Sequence, residues 1–286
     1  YGTTKLVGSA NEILLYALKR STENPEILPD RIYDEYISTR YGKKALEPVK
    51  NAFKKAYDIV LSSMYILGTN AAKHSSMDYD PYSSSYDRHV SGRWLEPPVV
   101  FVEHGINYWK DIINHIAPAR FKTKDSRLGL EARYVIDQNW VTPVELMDSL
   151  YLSYIITEKR YGVSLANEAL ADIERAKDLL TPSDYDDLYR LFKRTALTAQ
   201  LYEAVSTAYF GFRIYAKGKS YRYENLEEQI RSALNRIDLV TDEMKGMQGE
   251  YPLGQWDWLK DAETALSYKN KILTGWKEYN NVKFTQ

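Results

Sequence analysis

The chain has 286 residues, of which 44% are hydrophobic and 27% charged, values typical of a folded globular protein rather than a disordered or membrane-embedded one. Its net charge of −1 gives no electrostatic indication of nucleic acid or of an anionic membrane as a partner. The absence of Cys excludes disulfides, thiolate nucleophiles and cysteine-based zinc sites, and no apolar run is long enough to span a membrane.

Apolar residues recur at three- and four-residue steps along most of the chain, and they predict an all-α fold, a multi-helix bundle with one long irregular loop. The first two helices are predicted at 11–21 and 30–41, with a Pro-bounded turn between them. Asp30 is expected to cap the second helix, and Gly42 to end it. Gly162 is expected to stop or kink a helix. Further helices are predicted over residues 46–68, 99–116, 126–140, 142–161, 163–180, 183–216, 223–244 and 258–279.

Residues 69–98 form the longest stretch without apolar periodicity, and their Ser, Asp, Pro and Gly residues predict an irregular loop. Aromatic side chains can stack on sugar rings, and the forked donors of Arg suit the carboxylate of a uronic acid. The loop is therefore a candidate carbohydrate contact, and the alternative is a polar loop hydrogen-bonded to its own surface. The candidate substrate-binding residues are Tyr79, Tyr82, Tyr86, Arg88, His89, Arg93 and Trp94.

The same loop is also a candidate metal site, because two histidines stand near several carboxylates. The pair Asp78 and Asp80 resembles the start of a calcium loop, but the glycine turn and the distal bidentate Glu are lacking. We therefore predict no metal and no cofactor. No catalytic residue is predicted either, because the sequence has no phosphate-binding loop and no recognisable Ser or Cys nucleophile motif.

Tyrosine is unusually frequent, with 25 residues. Its apolar ring and polar tip suit surfaces that bind sugars or partners. Many of these tyrosines lie at helical spacing, however, and the pattern favours packing between helices.

Residues 9–41 carry the one pattern that can be compared with a protein family. A helix with Tyr-Ala and a following Arg leads into an Asn-Pro turn, and a second helix then ends in Tyr-Gly. The matching positions are Asn11, Glu12, Tyr16, Ala17, Arg20, Asn24, Pro25, Ile32, Tyr36, Tyr41 and Gly42. This segment resembles the junction in α-glucuronidase-like glycoside hydrolases where the catalytic (β/α)8 barrel ends and an all-helical C-terminal domain begins. An ordinary helix–turn–helix is the alternative.

The resemblance implies that residues 1–22 are the end of a barrel-like segment and that residues 23–286 are the all-α domain. The family's catalytic carboxylates lie upstream of this junction, so none is carried over to this chain. Its His-Tyr-Gly loop motif is also absent. The expected function is then that of a non-catalytic domain that packs on the catalytic barrel, supports a homodimer and lines the sugar site with residues 69–98. The expected ligand is a plant polysaccharide, with uronic acid as a candidate component.

Two other functions remain open at this point. One alternative is a stand-alone carbohydrate-binding module without catalysis. The other is a helical protein-interaction domain. The first residue is Tyr1 rather than Met, from which a processed chain or an excised domain is expected. The lack of Cys is compatible with an extracytoplasmic or a cytoplasmic bacterial protein and assigns neither location.

Overall fold

The computed structural model describes residues 11–66, 69–70, 72–73, 76–77, 149–216, 225–250 and 258–284. Within these residues the prediction of an all-α fold is confirmed, because seven α-helices make up nearly all of the structure. The helices are α1 (Glu12–Glu23), α2 (Pro29–Arg40), α3 (Leu46–Met64), α4 (Ser149–Arg175), α5 (Pro182–Ala216), α6 (Leu226–Glu250) and α7 (Trp258–Phe284). Short 3₁₀ turns at Lys43–Ala45 and Lys177–Leu179 follow α2 and α4.

Helix α5 is the centre of the bundle. It packs against α3, α4, α6 and α7, and from Ala196 onward it is buried on most sides. An apolar helix that is covered all round must lie inside a larger helical assembly. The helix predicted over 183–216 is thereby confirmed within one residue of its start.

Two buried apolar clusters make up the core. The first joins α4, α5, α6 and α7 around residues such as Leu201 and Ile237. The second joins α1, α2 and α3 to other parts of α4 and α5, around Ile37 and Phe192. Helices α4 and α5 therefore contribute to both clusters, and this ties the N-terminal helices to the C-terminal ones.

The helix predicted over 46–68 is too long, because α3 ends at Met64. Tyr65 and Ile66 instead form a strand, β1 (Tyr65–Ile66), which pairs antiparallel with β2 (Thr69–Asn70). A second small hairpin consists of β3 (Ala72–Lys73) and β4 (Ser76–Met77), and β4 contacts α7. The start of the predicted irregular loop is thus two short hairpins, whereas residues 78–98 lie outside the described residues.

The ends of α2 confirm one prediction and correct another. Gly42 has a φ of +91°, a conformation that favours glycine, directly after the C-cap of α2. Asp30 is not the N-cap: the helix starts at Pro29, and Leu28 occupies the cap position. The Asp30 carboxylate instead accepts a hydrogen bond from Lys54 on α3 at 2.9 Å. Proline fits the first helical position because it has no N–H to satisfy there.

The expected stop or kink at Gly162 is wrong, since α4 runs through this residue without interruption. A Cβ atom at this position would lie 2.8 Å from Ser63 Oγ and 3.1 Å from Ser62 Cβ on α3. Glycine is therefore needed for the close approach of two helices and does not mark a helix end.

We expect Gly162→Ala to lower the free energy of unfolding by about 1 kcal/mol, because the cost of overpacking exceeds the gain in helix propensity. The backbone carbonyl carbon of Ser62 lies 3.2 Å from the new Cβ, so the helices must move apart. Gly246→Ala on α6 is the matched control: nothing lies within 4 Å of its Cβ. This variant is expected to gain about 0.5–1 kcal/mol. Urea denaturation measures both, and a stabilised Gly162→Ala variant would contradict the tight contact.

Candidate docking surface

The seven candidate sugar-binding residues predicted in the 69–98 loop, from Tyr79 to Trp94, all lie outside the described residues. Their prediction stays a prediction, and no geometry is assigned to it.

Helix α1 exposes leucines on the side that faces away from the bundle. Leu14 is 62% exposed and Leu18 is 68% exposed. They are four residues apart and therefore lie on the same side of the helix. We refer to Leu14 and Leu18 as the leucine face. Leu28, which follows α1 in the turn before α2, is 70% exposed.

The opposite side of α1 packs against α2. Ile13 is buried, and the ring of Tyr16 lies 5.5 Å from the ring of Tyr36. Ile13, Tyr16 and Arg20 are spaced by three and four residues, which places them on one side of the helix. Surface helices usually carry polar residues on the side away from the core, so the two leucines form an exposed apolar patch on that side of α1.

The carboxylate of Glu35 on α2 holds α1 in place. It accepts hydrogen bonds from Arg20 Nε at 2.8 Å and from Tyr16 Oη at 3.3 Å, both on α1. Arg20 Nη2 donates a further bond at 3.4 Å, and Arg31 on α2 adds a fourth at 3.0 Å. The bonds from the two guanidinium groups lower the pKa of Glu35 below its ordinary value of 4.5. Burial and the Glu35 charge raise the pKa of Tyr16, so its hydroxyl stays protonated as a donor.

This network predicts an acid-sensitive attachment of α1. Because the pKa of Glu35 is lowered in the folded state, its contribution to stability is complete above about pH 4.5 and is lost as the pH falls through the folded value. We expect the wild type to be more stable than Glu35→Gln at neutral pH, with a difference that shrinks as the pH drops below 4.5. Urea denaturation at a series of pH values measures this. A difference that stays constant into strong acid would contradict it.

Several buried carboxylates in the described helices are matched by cations. Asp172 accepts a hydrogen bond from Lys55 at 2.7 Å and also contacts Arg175. Glu158 pairs with Lys159 at 2.7 Å. Such pairing indicates that these buried carboxylates serve in ion pairs between and within helices, which is a structural use. In the part of the chain that the structure describes, no group of three His, Cys, Asp or Glu side chains is placed to hold a metal ion.

Glu203 on α5 is the carboxyl group that most resembles a general acid. Burial raises its pKa, although Arg160 lies 3.7 Å away and lowers it. Glycoside hydrolysis needs a second carboxyl group facing the first across the sugar bond. The charged groups acting on Glu203 are the cations Arg160 and Arg236. The arrangement therefore favours an ion-pair role on the bundle surface.

No protein-family model matches the chain, and neither a curated protein nor a solved structure matches it. The resemblance of residues 9–41 to the α-glucuronidase-like junction accordingly stays a prediction. Among the helices that the structure describes, none combines the length and apolar character needed to cross a membrane.

Proposed function

We propose that this chain is a non-catalytic helical domain of an α-glucuronidase-like glycoside hydrolase and that its leucine face packs against the catalytic barrel. The observation that carries the proposal is the exposure of Leu14 and Leu18, at 62% and 68%, on a helix that is fixed to the bundle by its other side. Both residues fall within 1–22, the segment that the resemblance assigns to the end of the barrel.

The chemistry of the leucine face suggests what kind of surface it meets. Apolar side chains at the centre of an interface supply most of the binding energy, while charged residues at the rim exclude water and set the orientation. Lys19 and Glu23 lie on the same helix and are largely exposed. The matching surface would be an apolar patch bordered by charges of both signs, as expected where two domains of one enzyme meet.

The non-catalytic part of the proposal is supported by the ion pairs of the bundle. Asp172 and Glu158 are fully or almost fully buried and are both engaged by cations. Neither is available to donate or accept a proton at a sugar bond. Catalysis would then lie with the barrel, and the bundle would provide a rigid support beside it.

The gene sequence upstream of this chain is the first test. A barrel-type glycoside hydrolase domain in the same reading frame is expected, and its absence would overturn the proposal. The encoded barrel and this chain are then expressed separately and mixed in a titration calorimeter. We expect binding, and we expect the double variant Leu14→Asp/Leu18→Asp to weaken it at least about 100-fold, since two central contacts are lost and two charges are desolvated.

Leu239→Asp is the matched control. Leu239 on α6 is 64% exposed, a value between those of Leu14 and Leu18, but it lies on a different helix from the leucine face. This variant should bind the barrel like the wild type. Equal weakening by both variants, or no binding by the wild type, would contradict docking through α1.

Two further measurements separate the alternative functions. Titration of the chain with glucuronic acid and xylo-oligosaccharides tests for a stand-alone carbohydrate-binding module, which would bind without any barrel. Sedimentation of the wild type and the Leu14→Asp/Leu18→Asp variant tests whether the leucine face joins two copies of this chain. A dimer that dissociates only in the variant would assign the face to self-association and would overturn its assignment to the barrel.

A further inference from the structure

The end of helix α3 is closed by a lysine from another helix. The last four carbonyl groups of an α-helix have no partner within the helix. Ser62 lies in this last turn of α3 and is fully buried. Its carbonyl oxygen accepts a hydrogen bond of 2.7 Å from Nζ of Lys159 on α4. A cation at this position also interacts favourably with the negative end of the helix dipole.

The charge of Lys159 is balanced by its neighbour in the sequence. Glu158 Oε1 lies 2.7 Å from Lys159 Nζ, and both side chains are almost completely removed from solvent. We call Glu158 and Lys159 the buried pair. Gly162 follows Lys159 by three residues on the same side of α4 and allows α3 to come close. The close approach of the two helices lets Lys159 reach the main-chain oxygen of Ser62. A larger residue at position 162 would increase the distance between the helices.

A buried ion pair is a poor means of gaining stability. Apolar residues of similar volume are often as stabilising or more so, because the charges lose their hydration. Such pairs are retained in some proteins because they fix one arrangement among several. Here the arrangement in question is the end of α3, because the lysine bonds to a main-chain atom of that last turn.

The chain changes direction directly at this point. Strand β1 follows α3 without an intervening residue and pairs with β2, with Tyr65 opposite Asn70. The next hairpin brings β4 against α7. Strand β1 therefore lies at the end of α3 and strand β4 at the side of α7, and the seven candidate sugar-binding residues come next in the sequence.

We propose that Lys159 is a positioning residue that fixes where the chain leaves α3 and thereby places strands β1 to β4, which precede the segment that carries those candidates. The buried pair acts through the main chain of Ser62 and touches no ligand itself. Without the lysine, the last turn of α3 can fray, and the two hairpins lose their fixed starting point. The inference concerns the position of the segment and holds whatever the segment binds.

The absence of Cys from the sequence makes a direct distance measurement possible. Ser76→Cys on β4 and Asn235→Cys on α6 provide the attachment points for two spin labels, and pulsed electron resonance gives the distribution of distances between the labels. A second pair at Glu174 on α4 and Asn235 reports on the bundle alone. The wild type is compared with Glu158→Leu/Lys159→Met, which replaces the buried pair by apolar side chains and leaves no unpaired charge.

We expect the distribution for positions 76 and 235 to be narrow with the buried pair and at least about twice as wide without it, while that for positions 174 and 235 stays unchanged. Unchanged distributions for both label pairs would overturn the proposal. Widening of both would show that the buried pair only stabilises the bundle, and would overturn it as well. Neither a barrel nor a carbohydrate enters the experiment, so its failure is distinct from failure of the proposed function.

Discussion

Replacing Trp276 by Ala is expected to lower the free energy of unfolding by about 3–5 kcal/mol, as is usual for large aromatic residues in a core. Trp276 on α7 is buried, and its ring stacks on those of Phe212 and Tyr215 of α5, with centroids 5.3 and 5.2 Å away. The guanidinium group of Arg231 on α6 lies 4.9 Å from its ring. One side chain therefore joins three helices.

Two variants isolate the contributions to this site. Trp276→Phe keeps an aromatic ring and is expected to cost about half as much as Trp276→Ala or less, because a smaller cavity remains. Arg231→Ala removes the cation alone and is expected to cost about 0.5–1 kcal/mol. All three are measured by urea denaturation with the slope held to a common value. A loss below about 1 kcal/mol for Trp276→Ala would show that α7 contributes little to the core.

Lys159→Met alone is the second change with a large expected effect, about 3–5 kcal/mol of destabilisation. It removes the cation beside the buried carboxylate of Glu158, and it also removes the hydrogen-bond donor to the Ser62 carbonyl. Burial lowers the pKa of Lys159, so even in the wild type the charged form depends on the carboxylate beside it. The double variant Glu158→Leu/Lys159→Met is expected to recover most of the loss.

Lys54→Met is the control for this comparison. Lys54 pairs with Asp30 at 2.9 Å, but both side chains are well exposed, so the expected loss is much smaller than for Lys159→Met. Urea denaturation of the four proteins at one pH gives the comparison. If the single and double variants at the buried pair lose equal stability, the cost comes from lost packing and not from removing the cation beside Glu158.

Helical periodicity predicts the helices well where their apolar residues are buried in the bundle. The helix predicted over 183–216 is confirmed because its apolar residues are set by the need to be buried among four other helices. The end of α3 could not be predicted in the same way. Apolar spacing continues from Val60 through Met64 to Leu67, but pairing of β1 with β2 ends the helix at Met64. A local strand pairing of this kind is not visible in apolar spacing alone.

The buried pair could have been found from its spacing. Leu152, Ile155 and Ile156 form a buried stripe on α4, and Lys159 occupies the next position of that stripe. A charged residue at an apolar position predicts a buried partner. Its partner atom, a main-chain oxygen on α3, could not be predicted, because sequence spacing within α4 says nothing about which helix end lies beside it.

The leucine face shows a second limit of periodicity. Leu14 and Leu18 support the prediction of a helix as well as Ile13 does, yet the bundle buries only Ile13. The spacing of apolar residues predicts a helix, but it does not show which of these residues are buried against the rest of the protein. The sugar-binding residues proposed between 79 and 94 rest on composition alone and remain a prediction.

Because α4 and α5 contribute to both apolar clusters, the two clusters are expected to unfold together. Ile155 and Ile173 lie on one continuous helix but belong to different clusters, and the same holds for Phe192 and Phe212 on α5. Unfolding of either cluster exposes part of both helices. Thermal unfolding of the two clusters is therefore expected to give one calorimetric peak. Shortened fragments that lack α6 and α7, or α1 to α3, should precipitate rather than persist as small independent proteins.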